Sequence, residues 1–180
     1  LRSHIQVRLD EFGKTGKVDC QQQQERCAYD YIEPDWNCEM EVRFGEKVFS
    51  PGDGPKFVCG VEILTSRPDC LIYSIGSAYD FSFEYAVHRT APLCEIHTFD
   101  GTLNLKKREL PSDLKDSNIA FHNWNIVSDC ASKNVKELCI QQTIQKLGHA
   151  GKHVALFKID CEGCEYSVMP ALLQSNGIRI

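Results

Sequence analysis

The 180-residue chain has no block of five or more basic residues: its densest basic run is Lys106-Lys107-Arg108, and its net charge is -5. Nucleic acid is therefore a poor partner, because a phosphate backbone is bound by a concentrated positive footprint. No apolar stretch approaches the roughly 18 to 20 residues that span a bilayer, so no segment is expected to cross or contact a membrane. No repeat unit emerges. With 42% hydrophobic and 25% charged residues, the composition is that of an ordinary globular domain, which excludes wholesale disorder, collagen-like repetition and coiled coil. The chain begins at Leu1 rather than Met, so its first residues say nothing about a leader.

A second C-x-x-C is also missing. Cys161 and Cys164 form the only one, and a structural zinc site normally needs another pair at similar spacing. A thioredoxin-like redox pair would open a helix early in the chain, whereas this pair comes late, among acids that raise a thiol pKa. No metal is expected. Ten cysteines are many for a reduced cytosolic protein and few for a small disulfide scaffold. Seven of them fall in or beside apolar segments, where a thiol packs as a small hydrophobe, and at most a few of the ten are expected in disulfides.

Residues 1–55 read as a helical or irregular, cysteine-containing extension with a glutamine tract at 21–24 and turn formers at 50–55. The domain proper is expected over 56–180. Cys70 to Ile75 is a short apolar strand ended by Gly76, and Phe81 to Arg89 has helical spacing. Cys94 to Phe99 and Ile119 to Val127 predict a second and third strand. Asn134 to Gly148 carries Val135, Leu138, Cys139, Thr143, Ile144 and Leu147 on one helical face, with Gly148 as its stop. His153 to Ile159 is almost continuously apolar, as strands inside parallel sheets are. Glu165 to Gln174 predicts a helix that Pro170 kinks or restarts, and 178–180 opens a fifth strand. The pattern is α/β: a doubly wound, mostly parallel sheet that stops after the start of its fifth strand.

In such a sheet, ligands bind beyond the carboxyl ends of the strands. Gly76, after the first strand, permits close backbone approach, although only one glycine of a G-x-G-x-x-G is present. Asp100 ends the second strand 24 residues later. That offset suits a carboxylate receiving two ribose hydroxyls, and it equally suits a plain Asp-Gly turn. Asp160, Glu162 and Glu165 crowd the end of the fourth strand. Their repulsion calls for a cationic ligand, a metal or exposure, and a solvated, acidic first helical turn would also explain the two glutamates. Among the histidines, His122, His97 and His153 are alternative bases, but His97 and Tyr73 lie within strands and are expected in the core; Trp124 could stack on a base or be buried.

The segments CLIYSIGSAYDFSFE, CEIHTFDGT, HNWNI and FKIDCEGCE, in this order, resemble an uncharacterised family of methyltransferase-like proteins related to the FkbM-type O-methyltransferases, with their strand-end D-x-E-G. The likeness covers roughly Lys56 to Leu173. It implies a class I fold, Rossmann-like with seven strands, and S-adenosylmethionine as cofactor. It implies that Ser74, Gly76 and Ser77 receive the methionine part, that Asp100 binds the ribose, and that residues near Asn125 to Val127 border the adenine. Asp160, with Glu162, would face the transfer site and orient or deprotonate the acceptor. Ser74 stands where many class I enzymes have an acid, and Ala78 where they have a glycine. The acceptor is expected to be a small hydroxylated molecule or a glycan, and the resemblance leans toward a secretory-pathway or membrane-anchored parent. Two other readings remain open: a non-catalytic binding module on the same fold, and a nicotinamide-dependent oxidoreductase, for which a fuller glycine motif is lacking.

Overall fold

The computed structural model describes residues 38–45, 56–67 and 69–174. The glutamine tract, the turn-rich 50–55 and the expected fifth strand at 178–180 lie outside the described residues. The chain divides into two compact units after Glu39, and the described strands and helices all belong to the second, from Met40 onward.

Strand β1 (Val42–Phe44) pairs antiparallel with β2 (Lys56–Val58), and helix α1 (Val61–Ser66) follows. Residues ahead of Lys56 thus enter the same packed unit: Phe44 is buried and meets Phe83 edge-on at 6.2 Å. Then come β3 (Leu71–Ile75), α2 (Ser82–Thr90), β4 (Glu95–Phe99), a 3₁₀ turn (Ser112–Asp116) and β5 (Ile119–His122). After β6 (Asn125–Val127) and β7 (Glu137–Cys139), α3 (Ile140–Leu147), β8 (Val154–Ile159) and α4 (Glu165–Gln174) complete the described chain.

The main sheet has the order β5-β4-β3-β8, and all its pairings are parallel. The chain winds outward from β3 through β4 to β5, then returns to lay β8 on the other side of β3. Strand order therefore reverses between β3 and β8, which is where an open α/β sheet leaves a crevice beyond its carboxyl ends. Every residue of β3 is buried, as a strand covered on both faces must be. Ile72 and Ile96 pack on one face with Leu64, Phe83 and Val87. Leu71, Tyr73, Ile75 and Phe99 pack on the other with Ile140, Ile144 and Val168. The expected Rossmann-like architecture is observed, with four strands of the main sheet among the described residues.

Two expectations are corrected. The single strand expected from Ile119 to Val127 is split into β5 and β6, which belong to different sheets. Between them Asn123 turns away and donates its side-chain amide to the carbonyls of Asp100 and Leu103, so the chain leaves the main sheet to cover its carboxyl end. The helix expected from Asn134 starts only at Ile140. Leu138 and Cys139 pair with β6 instead, and Val135 is exposed. The Asn134 side chain accepts the amide of Lys136 and donates to Glu137, a local bonding pattern that competes with helix formation. Gly148 does end α3, in the left-handed conformation at φ 71°. Helices α2 and α4 lie within a residue of their expected positions, with Pro170 inside α4.

The expectation of few disulfides is also corrected: all eight described cysteines are bonded. Cys70–Cys94 ties the start of β3 to the residue before β4, Cys130–Cys139 closes the loop into α3, and Cys161–Cys164 spans the turn after β8. Apolar surroundings conceal bonded cysteines as readily as free ones, because both bury well. Among the described residues no helix is long and apolar enough to cross a membrane.

Peptide mapping of unreduced protein is expected to return the three pairs Cys70–Cys94, Cys130–Cys139 and Cys161–Cys164. Replacing both Cys70 and Cys94 by Ala reopens a 24-residue loop, which should cost about 2–4 kcal/mol in denaturant unfolding. A loss under about 0.5 kcal/mol, ordinary for a surface change, would mean the bond constrains nothing.

Candidate active site

A cavity of about 410 Å³ opens at the carboxyl ends of β3, β4 and β8, within the usual volume of a small-molecule site. The turn that leaves β3 forms one wall. Gly76 has φ 83°, and a Cβ placed on it would lie 1.7 Å from the carbonyl oxygen of Asp160. Only glycine fits there, because both the backbone conformation and the contact exclude a side chain. The Gly76 amide donates to the Phe99 carbonyl at 2.9 Å, and the Asp160 amide donates to the Ile75 carbonyl at 2.9 Å. These two bonds lock the ends of the three strands together.

Ala78 and Tyr79 follow in left-handed conformations at φ 47° and 68°. Such residues cost about 1–2 kcal/mol each unless glycine, so something must hold them. Asp100 does. Its Oδ2 accepts the amides of Ser77 (3.1 Å) and Ala78 (2.8 Å) and the Ser77 hydroxyl (3.3 Å). Its Oδ1 accepts the Thr102 amide (2.9 Å) and hydroxyl (2.6 Å). Burial pushes the Asp100 pKa up, but the bonds from Thr102, Ala78 and Ser77 outweigh it and hold the carboxyl below its ordinary value. The two readings of Asp100 thus meet in one residue: it stands in the cavity wall, and it fastens the loop. Three of its five bonds come from backbone amides and two from hydroxyls that can rotate away.

The floor is Lys158, on β8. Its ammonium donates to the carbonyls of Gly76 and Ile75, and burial pushes its pKa down. Asp160 forms an ion pair with Lys56 at 2.8 Å. Glu165 accepts the amides of Cys161 (2.6 Å) and Gly163 (2.7 Å), which lower its pKa, while Glu162 is exposed at the rim with φ 56°. The two acids of the D-x-E-G turn and Glu165 after it are thus relieved in three ways: by a lysine, by solvent and by backbone amides. Asn125 forms the opposite wall with Ile126 and Val127. Its Oδ1 accepts the Gly101 amide at 2.8 Å, and a Cβ on Gly101 would press into it.

Gly76, Ser77, Asp100, Asn125, Asp160 and Glu162 therefore line one cavity, although they come from separate regions of the sequence. Ser74 does not line it: the residue is fully buried, and its hydroxyl donates to Glu84 at 2.5 Å. Burial raises the Glu84 pKa, and its Oε2 has no hydrogen-bond partner among the described residues. His97, His122 and His153 are also absent from the cavity wall. Trp124 packs against Phe99 and His122, with the Lys146 ammonium 4.3 Å from its ring centroid, rather than facing a ligand. Lys158 and Thr102 are cavity residues that the sequence pattern alone did not single out. A lysine inside the apolar run His153 to Ile159 was the available signal.

A family model described as a methyltransferase domain matches residues 5–179. No curated protein and no solved structure matches the chain.

Asp100→Ala strands the buried Ser77 amide, while the amides of Ala78 and Thr102 can turn to solvent; at about 1–3 kcal/mol for a buried group left unsatisfied, the variant should lose about that much in urea unfolding. Because folding depresses the Asp100 pKa, its stabilisation is complete above the ordinary value of 3.8 and disappears as pH falls through the lower folded value. Between pH 5 and 3 the wild type should therefore lose more stability than the Asp100→Ala variant does. Ala78→Gly should gain about 1 kcal/mol by relieving the left-handed residue; a loss would contradict that backbone conformation.

Proposed function

Because the chain belongs to the methyltransferase-domain family, we propose that its cavity binds S-adenosylmethionine and that it transfers the methyl group to an oxygen of a small molecule or glycan. The observation that carries this reading is the closure of the β3 turn on β8: a glycine that admits no side chain, beside a half-buried lysine and a group of carboxylates, at the point where strand order reverses. The lining suits the charge distribution of that cofactor, which bears one carboxylate, one ammonium and one sulfonium. Lys158 would receive the carboxylate. Asp160 and Glu162 would face the cationic centres, and Phe99, Ile126 and Val127 offer an apolar slot for the base.

When bound, S-adenosylmethionine supplies an electrophilic methyl group, and the protein's part is to align the acceptor and remove its proton. Asp160, fixed by Lys56, is the carboxylate positioned to take that proton. Asp100 holds the loop through backbone amides, and the hydroxyls of Ser77 and Thr102 are the donors that ribose hydroxyls would replace on it. Many class I enzymes carry an acid where this chain has Ser74, and here α2 supplies Glu84 against the Ser74 hydroxyl. The disulfides of the described residues favour an oxidising compartment, in keeping with an extracellular or luminal acceptor such as a glycan.

The test is calorimetric titration of the wild type and Lys158→Met with S-adenosylhomocysteine. The wild type is expected to bind. The variant, which keeps its stem packed but loses the charge, is expected to bind at least tenfold more weakly, about 1.4 kcal/mol, with a Tm within a few degrees. No heat from the wild type at millimolar ligand would overturn the proposal. Binding without methyl release to any hydroxylated acceptor would favour a non-catalytic module.

A further inference from the structure

On the face of the sheet covered by α3 and α4, away from the cavity, three side chains converge that the proposed methyl transfer does not use. Glu95 and His97 stand two apart on β4 and so point to the same face. His149 follows the left-handed Gly148 that ends α3. His97 Nε2 lies 2.9 Å from Glu95 Oε1, and His149 Nε2 lies 3.5 Å from the same oxygen. One donor atom from each residue falls within a span of 4.8 Å. Both histidines are buried, while the Glu95 side chain is 44% exposed, so the cluster opens to solvent on one side.

We propose that Glu95, His97 and His149 bind a divalent cation of the zinc class. Two imidazole nitrogens and one carboxylate oxygen form a borderline donor set that suits zinc, and a hard cation such as Mg²⁺ would take oxygen ligands instead. Zinc bonds of about 2.0–2.1 Å in a tetrahedron put ligand atoms roughly 3.3 Å apart, between the two separations observed. The far nitrogen of each ring is already engaged: His97 Nδ1 with His122 Nε2 at 2.7 Å, and His149 Nδ1 with Tyr73 Oη at 2.7 Å. With Nε2 ligating, each Nδ1 keeps its proton and donates it to that partner, which is how ligating histidines are held in orientation. The His97 and His149 rings stand 78° apart with centroids 4.6 Å apart, so they approach each other edge-on and not in a stack. Lys152 pairs with the other oxygen of Glu95 at 3.1 Å, leaving Oε1 for the metal. A water would complete the fourth position on the exposed side, as in three-ligand zinc sites. None of the described cysteines is a free thiol that could compete. The ion would clamp the crossover between α3 and β8 onto β4.

The experiment uses the untagged full chain with its disulfides intact, stripped with a chelator and titrated near neutral pH with Zn²⁺ alone and, separately, with Mg²⁺. One zinc per chain is expected, bound at micromolar or tighter affinity and raising Tm, with no measurable Mg²⁺ binding. Glu95→Gln keeps the shape and a hydrogen-bonding oxygen but loses the charge; His149→Gln removes a ligand. Each is expected to weaken zinc at least tenfold. Since Glu95 is half exposed, its variant should fold even if the buried His149 substitution does not. Retention of no zinc by the wild type, equal affinity for Mg²⁺, or an unchanged zinc affinity in folded Glu95→Gln would overturn the assignment. S-adenosylhomocysteine plays no part in the measurement, so the outcome is independent of the cofactor reading.

Discussion

The contact between Gly76 and the carbonyl of Asp160 is the constraint on which the rest of the site depends. It brings the end of β3 against the end of β8 with no side chain between them, and the amide bonds from Gly76 to Phe99 and from Asp160 to Ile75 draw β4 into the same junction. Once the three strand ends are fixed, the chain after Gly76 must turn sharply through two left-handed residues. Asp100, delivered by β4, is placed to hold that turn. Lys158, two residues before Asp160, points its ammonium to the Gly76 and Ile75 carbonyls from the same strand. The cavity is what remains above this junction.

The electrostatics follow from that geometry. A half-buried lysine sits near carboxylates whose charges are relieved individually: Asp100 by amides and hydroxyls, Asp160 by Lys56, Glu165 by the amides of the turn it caps. The amide bonds among these also fix backbone, so the charges of Asp100 and Glu165 hold the loops around the cavity as well. Such coupling between loop shape and charge is why removing Asp100 is a structural event and not only a loss of a ligand contact.

Much of this was legible in the sequence because parallel strands leave long apolar runs and end in small or acidic residues. Cys70 to Ile75, Cys94 to Phe99 and His153 to Ile159 stood out for that reason, as did Gly76, Asp100 and Asp160 at their ends. What escaped has local physical causes. Asn123 and Asn134 redirect the chain through side-chain bonds that apolar periodicity does not register, so the periodicity reads as one strand where there are two and starts a helix six residues early. Ser74 looked like part of the site because it precedes Gly76, but alternation along β3 turns it to Glu84 in the interior. The cluster of Glu95, His97 and His149 joins residues more than fifty positions apart, and only the sheet register and the exit of α3 bring them together.

The central claim is that the cofactor lies over the Gly76 turn. A crystal structure grown with S-adenosylhomocysteine tests it most directly. The account predicts the ligand's carboxylate at Lys158 Nζ, its sugar beside Asp100 with the Ser77 or Thr102 hydroxyl displaced, and its base against Ile126 and Val127. A ligand that binds in solution yet lies anywhere other than this cavity would contradict it.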